Sequence, residues 1–447
     1  MSIVIGTVIG SGVFLVPSTM IRSTGSVPRL FLIWVIAGLL SLFGALTYAE
    51  LAAAMPEAGG EYVYLRAAYS PFWGFLYGWA QFWVGKSGSI ATLAAGFYVY
   101  LTAFIPVLST PVWVLPWHIG PGGSLLEIHY GQLVAIALIV SLCAVNYVGV
   151  RSGGNLQVFI TAVKMLLIAG IIIAGLVAGL AFGRGNSAHF GASLSTKTGI
   201  AGFFVAMVSA LWAYDGWNNV SMVSSEIREP QRNLPRALIL GTAAVIVTYL
   251  LVNFAYFYVL SPAQVASSHR VAADMMASVY GRAAASAVTV AVIISILAAI
   301  NGSILSGARI PYAMARDRLF FAYASSVHPR FQTPGNAMIL LCGWACILVL
   351  SGWYDDLYNF VIFGEWILYL LTAVSVFVLR RKDPDLPRPY RVLGYPLVPV
   401  LFSASALLLL SYTFYNRPRE SLMGLSLMGL GVPFYFHWRF KKGVERR

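Results

Sequence analysis

About twelve long apolar stretches constrain the fold of this chain more than any other feature of its sequence. Each holds roughly 20 mostly apolar residues, the length that an α-helix needs to cross a lipid bilayer. They lie at residues 2–21, 30–54, 72–105, 130–150, 156–182, 199–222, 237–260, 284–310, 336–353, 357–379, 395–415 and 421–440. Charged residues make up only 10% of the chain, whereas soluble domains carry about 25%. The sequence therefore predicts an all-α integral membrane protein with about 12 transmembrane helices.

The distribution of basic residues predicts the orientation of the chain. The net charge of +13 would also suit a protein that binds nucleic acid. Most of the 29 Lys and Arg residues, however, fall in connections on the side that holds the basic C-terminal tail. Such an excess marks the cytoplasmic side of a membrane protein. We therefore expect cytoplasmic N- and C-termini, a location in the plasma (inner) membrane and no nucleic-acid partner.

Two of the apolar stretches are interrupted near their middle. In the first, "VIGTVIGSGVFLVPS" (4–18), glycines and a proline break the apolar run. In the sixth, "LWAYDGWNNV" (211–220), polar residues follow at membrane depth. Interrupted spans at corresponding places in two halves indicate a transporter built from inverted repeats. The predicted domains are a first repeat at 1–182, a second repeat at 199–380, an accessory helix pair at 395–440 and a cytoplasmic tail at 441–447.

A break in a membrane helix exposes backbone groups that suit a zwitterion. The N–H groups that open the second half-helix carry partial positive charge and favour a carboxylate. The freed carbonyl oxygens favour an ammonium group. Gly10 and Gly12 allow close approach of a ligand to the backbone, and Ser11 adds a hydroxyl. Small residues in such spans also serve helix packing, and only the second break favours binding over packing here.

Five longer motifs resemble those of one transporter superfamily. They are "IGTVIGSGVF" (5–14), "GALTYAELAAAMPEAGGEYVYLRAAYSPFWGFLYGW" (44–79), "ALWAYDGWNNVSMVSSEIREPQRNLPRA" (210–237), "NGSILSGARIPYAMARDRLF" (301–320) and "LRRKDPDLPRPYRVLGYP" (379–396). In their order and length they resemble the amino acid–polyamine–organocation superfamily, in its L-type amino acid transporter branch. The resemblance covers nearly the whole chain.

The resemblance implies both a fold and a binding site. The fold would be a LeuT-type 5+5 inverted repeat plus two C-terminal helices, with breaks in the first and sixth transmembrane helices. Carried over by position, the substrate-binding residues would be Val8, Gly10, Ser11, Gly12, Trp212, Ala213, Asp215 and Asn218. The backbone of residues 10–12 would meet the substrate carboxylate. The ammonium would meet the carbonyl oxygens of Val8, Trp212, Ala213 and Asp215. Trp212 matches the family's aromatic gate, and Asn218 matches a polar residue that helps hold the two breaks together.

Lys164 is a basic residue about eight positions inside the fifth apolar stretch, in "ITAVKMLLIAGIII". A lysine nearer the end of a span would reach the interface with its flexible side chain. At this depth a functional role is favoured. The resemblance implies that in sodium-independent members this lysine takes the place of a sodium ion. Two roles stay open: it loses its proton during the cycle, or it is a fixed tether.

Four other charged residues are candidates for polar contacts within the spans. Asp215 either pairs with a cationic substrate side chain or caps the second half of the sixth span. Lys86 either pairs near a cytoplasmic vestibule or contacts substrate. Glu365 is either a proton site or a satisfied polar group near a gate. We expect Glu226 to help an inner gate by pairing with an arginine.

The cysteines argue against a metal site and against one type of partner. Cys143, Cys342 and Cys346 lie in apolar stretches without other ligands nearby in sequence, so that we expect packing and no metal or cofactor. Eukaryotic members of the branch bond to a single-pass heavy chain through a cysteine between spans three and four. Residues 106–129 contain no cysteine, and we expect no disulfide-linked heavy chain.

The predicted function is secondary active transport of L-amino acids, small neutral or cationic, by alternating access. Sodium-independent exchange and proton-linked uptake both remain open. The alternatives are a polyamine or amine carrier of the same superfamily, and an amino acid receptor without transport. A membrane enzyme would need a nucleophile or a metal set at mid-depth, and the sequence offers only isolated Lys, Asp and Glu residues. We therefore expect no enzymatic activity.

Overall fold

Helices occupy the regions in which the sequence predicts membrane spans. The computed structural model describes residues 1–116, 125–194, 199–352, 354–416 and 418–444. The α-helices in these ranges are α1 Ser2–Val8, α2 Gly12–Thr24, α3 Val27–Ala54, α4 Glu61–Ala68, α5 Pro71–Ala80, α6 Lys86–Leu101, α7 Tyr130–Tyr147, α8 Val150–Ala181, α9 Ile200–Ala213, α10 Asn219–Met222, α11 Pro230–Val259, α12 Pro262–Ser267, α13 Val271–Tyr280, α14 Arg282–Gly307, α15 Arg309–Arg316, α16 Gly335–Ser351, α17 Tyr354–Lys382, α18 Leu397–Asn416, α19 Pro418–Gly429 and α20 Gly431–Val444. Residues 445–447 of the predicted cytoplasmic tail lie outside the described residues.

Several of these helices meet the requirements of a membrane span. Within the described ranges, seven are long and apolar enough to cross a bilayer, and the bent pair α1–α2 makes an eighth. The seven are α3, α7, α8, α11, α14 together with α15, α17 and α18. The remaining predicted spans coincide with shorter or interrupted helices, namely α5 with α6, α9, α16, and α19 with α20. The chain is a mostly helical, multi-pass membrane protein.

The third predicted span contains an irregular turn. Helix α5 begins with Pro71 in its first turn, where a missing N–H costs no hydrogen bond. Residues Gln81–Gly85 then form a π-helical turn that joins α5 to α6. Such turns insert one residue into an α-helix and are frequent at functional sites.

A small sheet lies in the connection between α6 and α7. Strand β1 (Pro111–Leu115) pairs antiparallel with β2 (Leu126–His129), with Val114 opposite Glu127. The all-α prediction omitted this sheet. The segment "PVWVL" is rich in β-branched and aromatic residues, which favour a strand, but it lies in the connection between the third and fourth predicted spans, to which the sequence analysis assigned no regular structure.

The chain divides into two compact units. Unit one comprises residues 1–42, 158–217 and 240–299, and unit two comprises residues 43–157, 218–239 and 300–447. In unit one, α2 packs along α9, and α12 and α13 pack against α2. In unit two, α17 packs against α18, α4, α6 and α19.

A buried acid anchors the connection that follows α17 in unit two. Glu50, 2% exposed, lies on α3. Its carboxylate pairs with Arg380 at 2.6 Å and with Arg388 at 3.5 Å. It also accepts a hydrogen bond of 2.8 Å from the backbone N–H of Val392. The basic, proline-rich segment "RRKDPDLPRPYRVLGYP" (380–396) is therefore held to the helical core of this unit.

Candidate functional site

The first break lies between α1 and α2. Helix α1 ends at Val8, α2 begins at Gly12, and the two axes are bent by 44°. Ile9 leaves the helical region with φ −77° and ψ 83°. Residues 9–11 therefore join two half-helices, as the sequence predicts for the first span.

The second break follows α9. Helix α9 ends at Ala213, and α10 begins at Asn219. Between them Gly216 has φ 100°, a conformation that side-chain-bearing residues rarely adopt. Glycine at this position therefore allows the chain to leave the helix. Unit one extends through Trp217, so this break up to Trp217 and the whole first break belong to the same unit.

Direct contacts hold the two breaks side by side within unit one. The hydroxyl of Thr7 donates to the carbonyl oxygen of Gly216 at 2.9 Å. A Cβ on Gly12 would lie 2.9 Å from the Cβ of Ala213, closer than real Cβ atoms approach. The glycine at position 12 is thus required for packing against α9, and this packing places the start of α2 against the end of α9.

Tyr249, on α11, bridges the two broken helices. Its hydroxyl lies 3.0 Å from the carbonyl oxygen of Val8 and 2.8 Å from that of Ala213. The side chain is fully buried. Both carbonyls stand where a helix ends and lack a helical partner. The sequence analysis did not identify this residue, because a tyrosine in an apolar stretch is also a common packing residue.

Lys164 satisfies the carbonyl end of α1. Its ammonium donates to the carbonyl oxygen of Gly6 at 2.9 Å and also to that of Ile9. Ser295, on α14, lies 2.9 Å from the same Ile9 oxygen and 3.1 Å from that of Gly10. A cation at the C-terminal end of a helix also complements the helix dipole. The lysine thus contacts the first break, and the eighth predicted span contributes a serine to the same carbonyls.

The N–H groups at the start of α2, unlike the carbonyl groups at the end of α1, lack hydrogen-bond partners in the described part of the chain. In the described part of the chain, the backbone N–H groups of Ser11 and Gly12 donate to no hydrogen-bond acceptor. Ser11 is buried and its side chain does not cap the helix. Unpaired N–H groups at membrane depth cost several kcal/mol unless a ligand or water satisfies them. They lie at the N-terminus of a 13-residue helix, where the helix dipole favours an anionic group.

Trp212 lies beside these N–H groups, and Asp215 lies in the second break; both residues are half-buried. A Cβ on Gly12 would lie 3.5 Å from Cζ3 of Trp212, so the indole ring borders the first break. The N–H of Asp215 donates to the carbonyl oxygen of Trp212 at 3.0 Å and tightens the turn after α9. Seven of the eight predicted substrate-binding residues therefore lie in unit one, together with Lys164.

Asn218, the eighth, belongs to a buried polar cluster in unit two. Its amide donates to a carboxylate oxygen of Glu61, the first residue of α4. Tyr77 donates to the other oxygen at 3.0 Å, and Ser221 approaches the same oxygen at 3.4 Å. Glu61 is fully buried in a connecting helix, and burial raises the pKa of its carboxyl despite these donors.

The sequence analysis missed Glu61, although the sequence carries a signal for it. It is the only acid in the helix "EYVYLRAA", and the rest of that helix is mostly apolar or aromatic. Thr7 and Ser295 were missed for a different reason. Single hydroxyl residues are common in membrane helices and often donate to their own backbone.

Two further charged residues of the sequence analysis lie in unit two. Lys86 donates to the side-chain oxygen of Asn219 at 2.6 Å and is 2% exposed. Glu226 pairs with Arg309, whose Nη2 lies 2.7 Å from a Glu226 oxygen. The Arg309 side chain is 2% exposed and that of Glu226 is 25% exposed. Glu226 thus has an arginine partner, which the sequence analysis left unnumbered.

The cysteines and acids do not assemble a metal site in the ranges that the structure describes. No group of three or more His, Cys, Asp and Glu residues there is placed to hold an ion. Cys143 and Cys342 are buried thiols on α7 and α16, and all three cysteines are free. The polar groups of the two breaks are therefore the candidate functional site.

Comparison with known proteins identifies the family of the chain. The model of the amino acid permease family matches residues 1–429. The b(0,+)-type amino acid transporter 1 of Mus musculus is 33% identical over 444 residues, which cover 98% of this chain and 86% of that protein. The serine/threonine exchanger SteT of Bacillus subtilis is 32% identical and covers 99% and 96%. The cystine/glutamate transporter of Homo sapiens is 30% identical and covers 97% and 83%.

Proposed function

Because this chain belongs to the amino acid permease family, we propose that it is a secondary active transporter of L-amino acids that works by alternating access. The observation that carries the proposal is the pair of breaks held side by side, with the N–H groups of Ser11 and Gly12 left without acceptors in the described part of the chain. Relatives of nearly the same length are named as transporters and exchangers of amino acids.

The substrate carboxylate would bind at the N-terminus of α2. The N–H groups of Ser11 and Gly12 would donate to it, and the positive end of the α2 dipole would add an attraction. The N–H of Gly10 already donates to the carbonyl oxygen of Val8 at 2.8 Å, so Gly10 would contribute by allowing close approach to the backbone. A charge-assisted hydrogen bond of this kind contributes about 1.5–3 kcal/mol. The hydroxyl of Ser11 would assist, but the backbone would do most of the binding.

The substrate ammonium would bind the carbonyl ends of the broken helices. The acceptors would be the carbonyl oxygens of Val8, Trp212, Ala213 and Asp215. Tyr249 already reaches two of these oxygens. The Ala213 oxygen has a second lone pair for the ammonium, whereas the Val8 oxygen also accepts from the Gly10 N–H at 2.8 Å, so there the ammonium would replace the Tyr249 hydroxyl. Trp212, against the first break, would act as the aromatic gate over the bound amino acid.

Lys164 would serve in place of a sodium ion. Its ammonium joins the carbonyls of Gly6 and Ile9 and so supplies a positive charge at the first break without a metal. This supports sodium-independent transport, either as exchange or as proton-linked uptake. A lysine that stays protonated as a fixed tether suits exchange, and a lysine that loses its proton during the cycle suits proton-linked uptake.

The side-chain specificity would depend on Asp215. Its half-buried carboxylate lies one residue before the glycine turn of the second break, where a cationic substrate side chain would find a partner. One relative, SteT, is named as an exchanger of serine and threonine, which are small neutral amino acids. We therefore include both small neutral and cationic L-amino acids as cargo.

Other parts of the proposal concern architecture and gating. The twelve predicted stretches would form a 5+5 inverted repeat, residues 1–182 and 199–380, followed by two accessory helices. The protein would lie in the plasma membrane with both termini in the cytoplasm, act without a disulfide-linked heavy chain and perform no enzymatic reaction. Within unit two, the Glu226–Arg309 ion pair would act as an inner gate, and Asn218 would stabilise the segment after the second break.

Counterflow in proteoliposomes tests the proposal. Vesicles holding the purified protein are preloaded with an unlabelled amino acid, and labelled alanine, serine or arginine is added outside without sodium. We expect labelled substrate to accumulate transiently in preloaded vesicles and not in protein-free ones. Saturable binding without accumulation would indicate a receptor. Accumulation of putrescine but of no amino acid would indicate an amine carrier.

A further inference from the structure

A small cavity lies beside the π-helical turn of unit two. Its volume is about 20 Å³, enough for one water molecule. The lining includes Gln81 and Gly85 of the turn, Glu365 and Leu368 of α17, and Leu427 of α19. All of these belong to unit two. The other side chains around the cavity are apolar or glycine, except that Trp83 carries a buried indole N–H without a hydrogen-bond partner among the described residues.

Gln81 is the observation that marks the cavity as a site. The residue is 1% exposed, and neither its amide nitrogen nor its amide oxygen has a hydrogen-bond partner among the described residues. Burying such an amide without a hydrogen-bond partner is unfavourable. A Cβ on Gly85 would lie 2.4 Å from the Gln81 oxygen, so a glycine four residues later makes room for this amide. The sequence thus accommodates a costly polar group where a leucine would pack.

Glu365 completes the polar side of the cavity. It is 4% exposed on α17, one turn before Tyr369. The Tyr369 hydroxyl lies 3.5 Å from Oε2 of Glu365 and 3.4 Å from Oδ1 of Asn218. Both distances are long for O–H···O hydrogen bonds. A small movement of the Tyr369 ring towards either oxygen would shorten that distance. Asn218 in turn donates to Glu61. A chain of polar side chains therefore runs from the cavity to the residue that follows the second break.

We propose that Glu365 is a proton-binding site of the transport cycle, with one water in the cavity held between its carboxyl group and the Gln81 amide. This inference rests on the proposed function, in its proton-linked form. On protonation, an O–H bond forms on the carboxylate with a proton delivered through the cavity water from bulk solvent. The neutral acid donates to that water or to the Gln81 oxygen. On release the proton returns along the same path, and the Gln81 N–H and the Tyr369 hydroxyl donate to the carboxylate.

The groups around Glu365 suit a site that changes charge. Among the described residues, the hydroxyls of Tyr48 on α3 and Tyr77 on α5 are titratable groups of neighbouring helices that interact electrostatically with Glu365. On α4 and α6, Glu61 and Lys86 are engaged by the side chains of Asn218 and Asn219 respectively. The π-helical turn and α19 present Gln81, Gly424, Leu427 and Met428, none of which titrates. Protonation then changes which partner Tyr369 bonds, and Tyr369 contacts Asn218.

Three variants of the full-length protein test this site in proteoliposomes. E365Q mimics the protonated acid permanently, E365D keeps a titratable group, and Q81L removes the amide that holds the water. D383N, a carboxylate exposed in the connection after α17, is the matched control. Two quantities are measured: sodium-free counterflow at equal pH, and amino acid accumulation with substrate-dependent proton entry under an inward proton gradient.

We expect E365Q to keep counterflow within about twofold and to lose about tenfold or more of the gradient-driven accumulation, together with proton entry. E365D should keep proton entry, D383N should match the wild type, and Q81L should shift the pH midpoint of uptake measured from about pH 5 to about pH 9. If E365Q folds poorly, the Q81L shift still decides.

Proton entry that persists in E365Q, or that is lost only in E61Q, overturns the assignment. A wild type that exchanges substrate but moves no protons also overturns it and leaves the proposed function standing, whereas absence of counterflow would refute the function itself.

Discussion

The ammonium of Lys164 donates a hydrogen bond of 2.9 Å to the carbonyl oxygen of Gly6, in the last turn of α1. That carbonyl lies within the last turn of a helix that ends early, so it has no helical partner of its own. The lysine is fully buried and supplies the missing donor. The first half-helix therefore depends on a side chain from α8 to end at membrane depth.

Replacing Lys164 should impair transport more than replacing a neighbour that makes a similar bond. K164A leaves the carbonyls of Gly6 and Ile9 short of a donor, a loss of about 1–3 kcal/mol, and we expect counterflow to fall about tenfold or more. T161V is the control, because Thr161 also donates from α8 to α1, to the oxygen of Ser2 at 3.3 Å. Equal counterflow in the two variants would show that the lysine is only a structural contact.

A matched pair at Ser11 separates the backbone N–H from the hydroxyl. S11P removes the N–H, and the φ of −84° at this position is close to the range of proline. S11A removes only the hydroxyl. If the N–H binds the carboxylate, S11P should raise the KM for alanine about tenfold or more, and S11A should have a much smaller effect. The opposite order of the two KM values would assign the role to the side chain.

Gly12 should tolerate no side chain. In G12A the new Cβ would meet Ala213 at 2.9 Å from its Cβ and 3.0 Å from its Cα, and overpacking of this kind costs about 1–3 kcal/mol. We expect lower thermal stability in detergent and lower counterflow. G170A is the control, because a Cβ at Gly170 on α8 would meet nothing within 4 Å. A G12A protein as stable and active as G170A would contradict the close packing of α2 on α9.

Asp215 should control the preference for cationic cargo. D215G removes the carboxylate and keeps the break, and we expect the ratio of arginine to alanine uptake to fall about tenfold, the effect of losing one charge-assisted contact. Uptake ratios in proteoliposomes measure this directly. An unchanged ratio would leave Asp215 with only a capping role in the turn after α9.

The Glu226–Arg309 pair should matter more for stability than a surface pair nearby. E226A leaves Arg309 buried without its partner carboxylate, which costs about 3–5 kcal/mol. E229A breaks an exposed pair with Arg232, 4.0 Å apart, and such pairs contribute about 0–1 kcal/mol. Thermal unfolding in detergent should therefore separate the two variants clearly. Similar melting temperatures would show that solvent reaches Arg309.

The sequence predicts the two breaks because glycines and polar residues in the middle of an apolar run weaken a membrane helix and are typical of discontinuous transporter helices. It does not predict which side chains complete them. Tyr249 lies in an apolar stretch where any aromatic residue would pack, and only the fold brings its hydroxyl to the ends of both α1 and α9. The same limit applies to Glu61, whose partner Asn218 is 157 positions away in sequence.

Local irregularities were equally hidden. The π-helical turn at Gln81–Gly85 leaves the apolar pattern of the third stretch intact, and the strands β1 and β2 have apolar residues that also suit a helix end. The number of full-length helices was predicted less well than their positions. Interruptions shorten α5, α9, α16 and α19 below the length of a continuous span.

The hydroxyl of Tyr249 carries a single hydrogen and faces two acceptors. It therefore cannot donate a full hydrogen bond to the carbonyl oxygens of Val8 and Ala213 at the same time. In the proposed binding mode, a substrate ammonium that takes either oxygen would leave the other to the tyrosine, so binding would replace an internal contact with an external one. The free energy of substrate binding is then the difference between two states in which these carbonyl oxygens already have hydrogen-bond donors. Affinity stays modest, and a carrier that must unload its cargo on the far side can do so quickly.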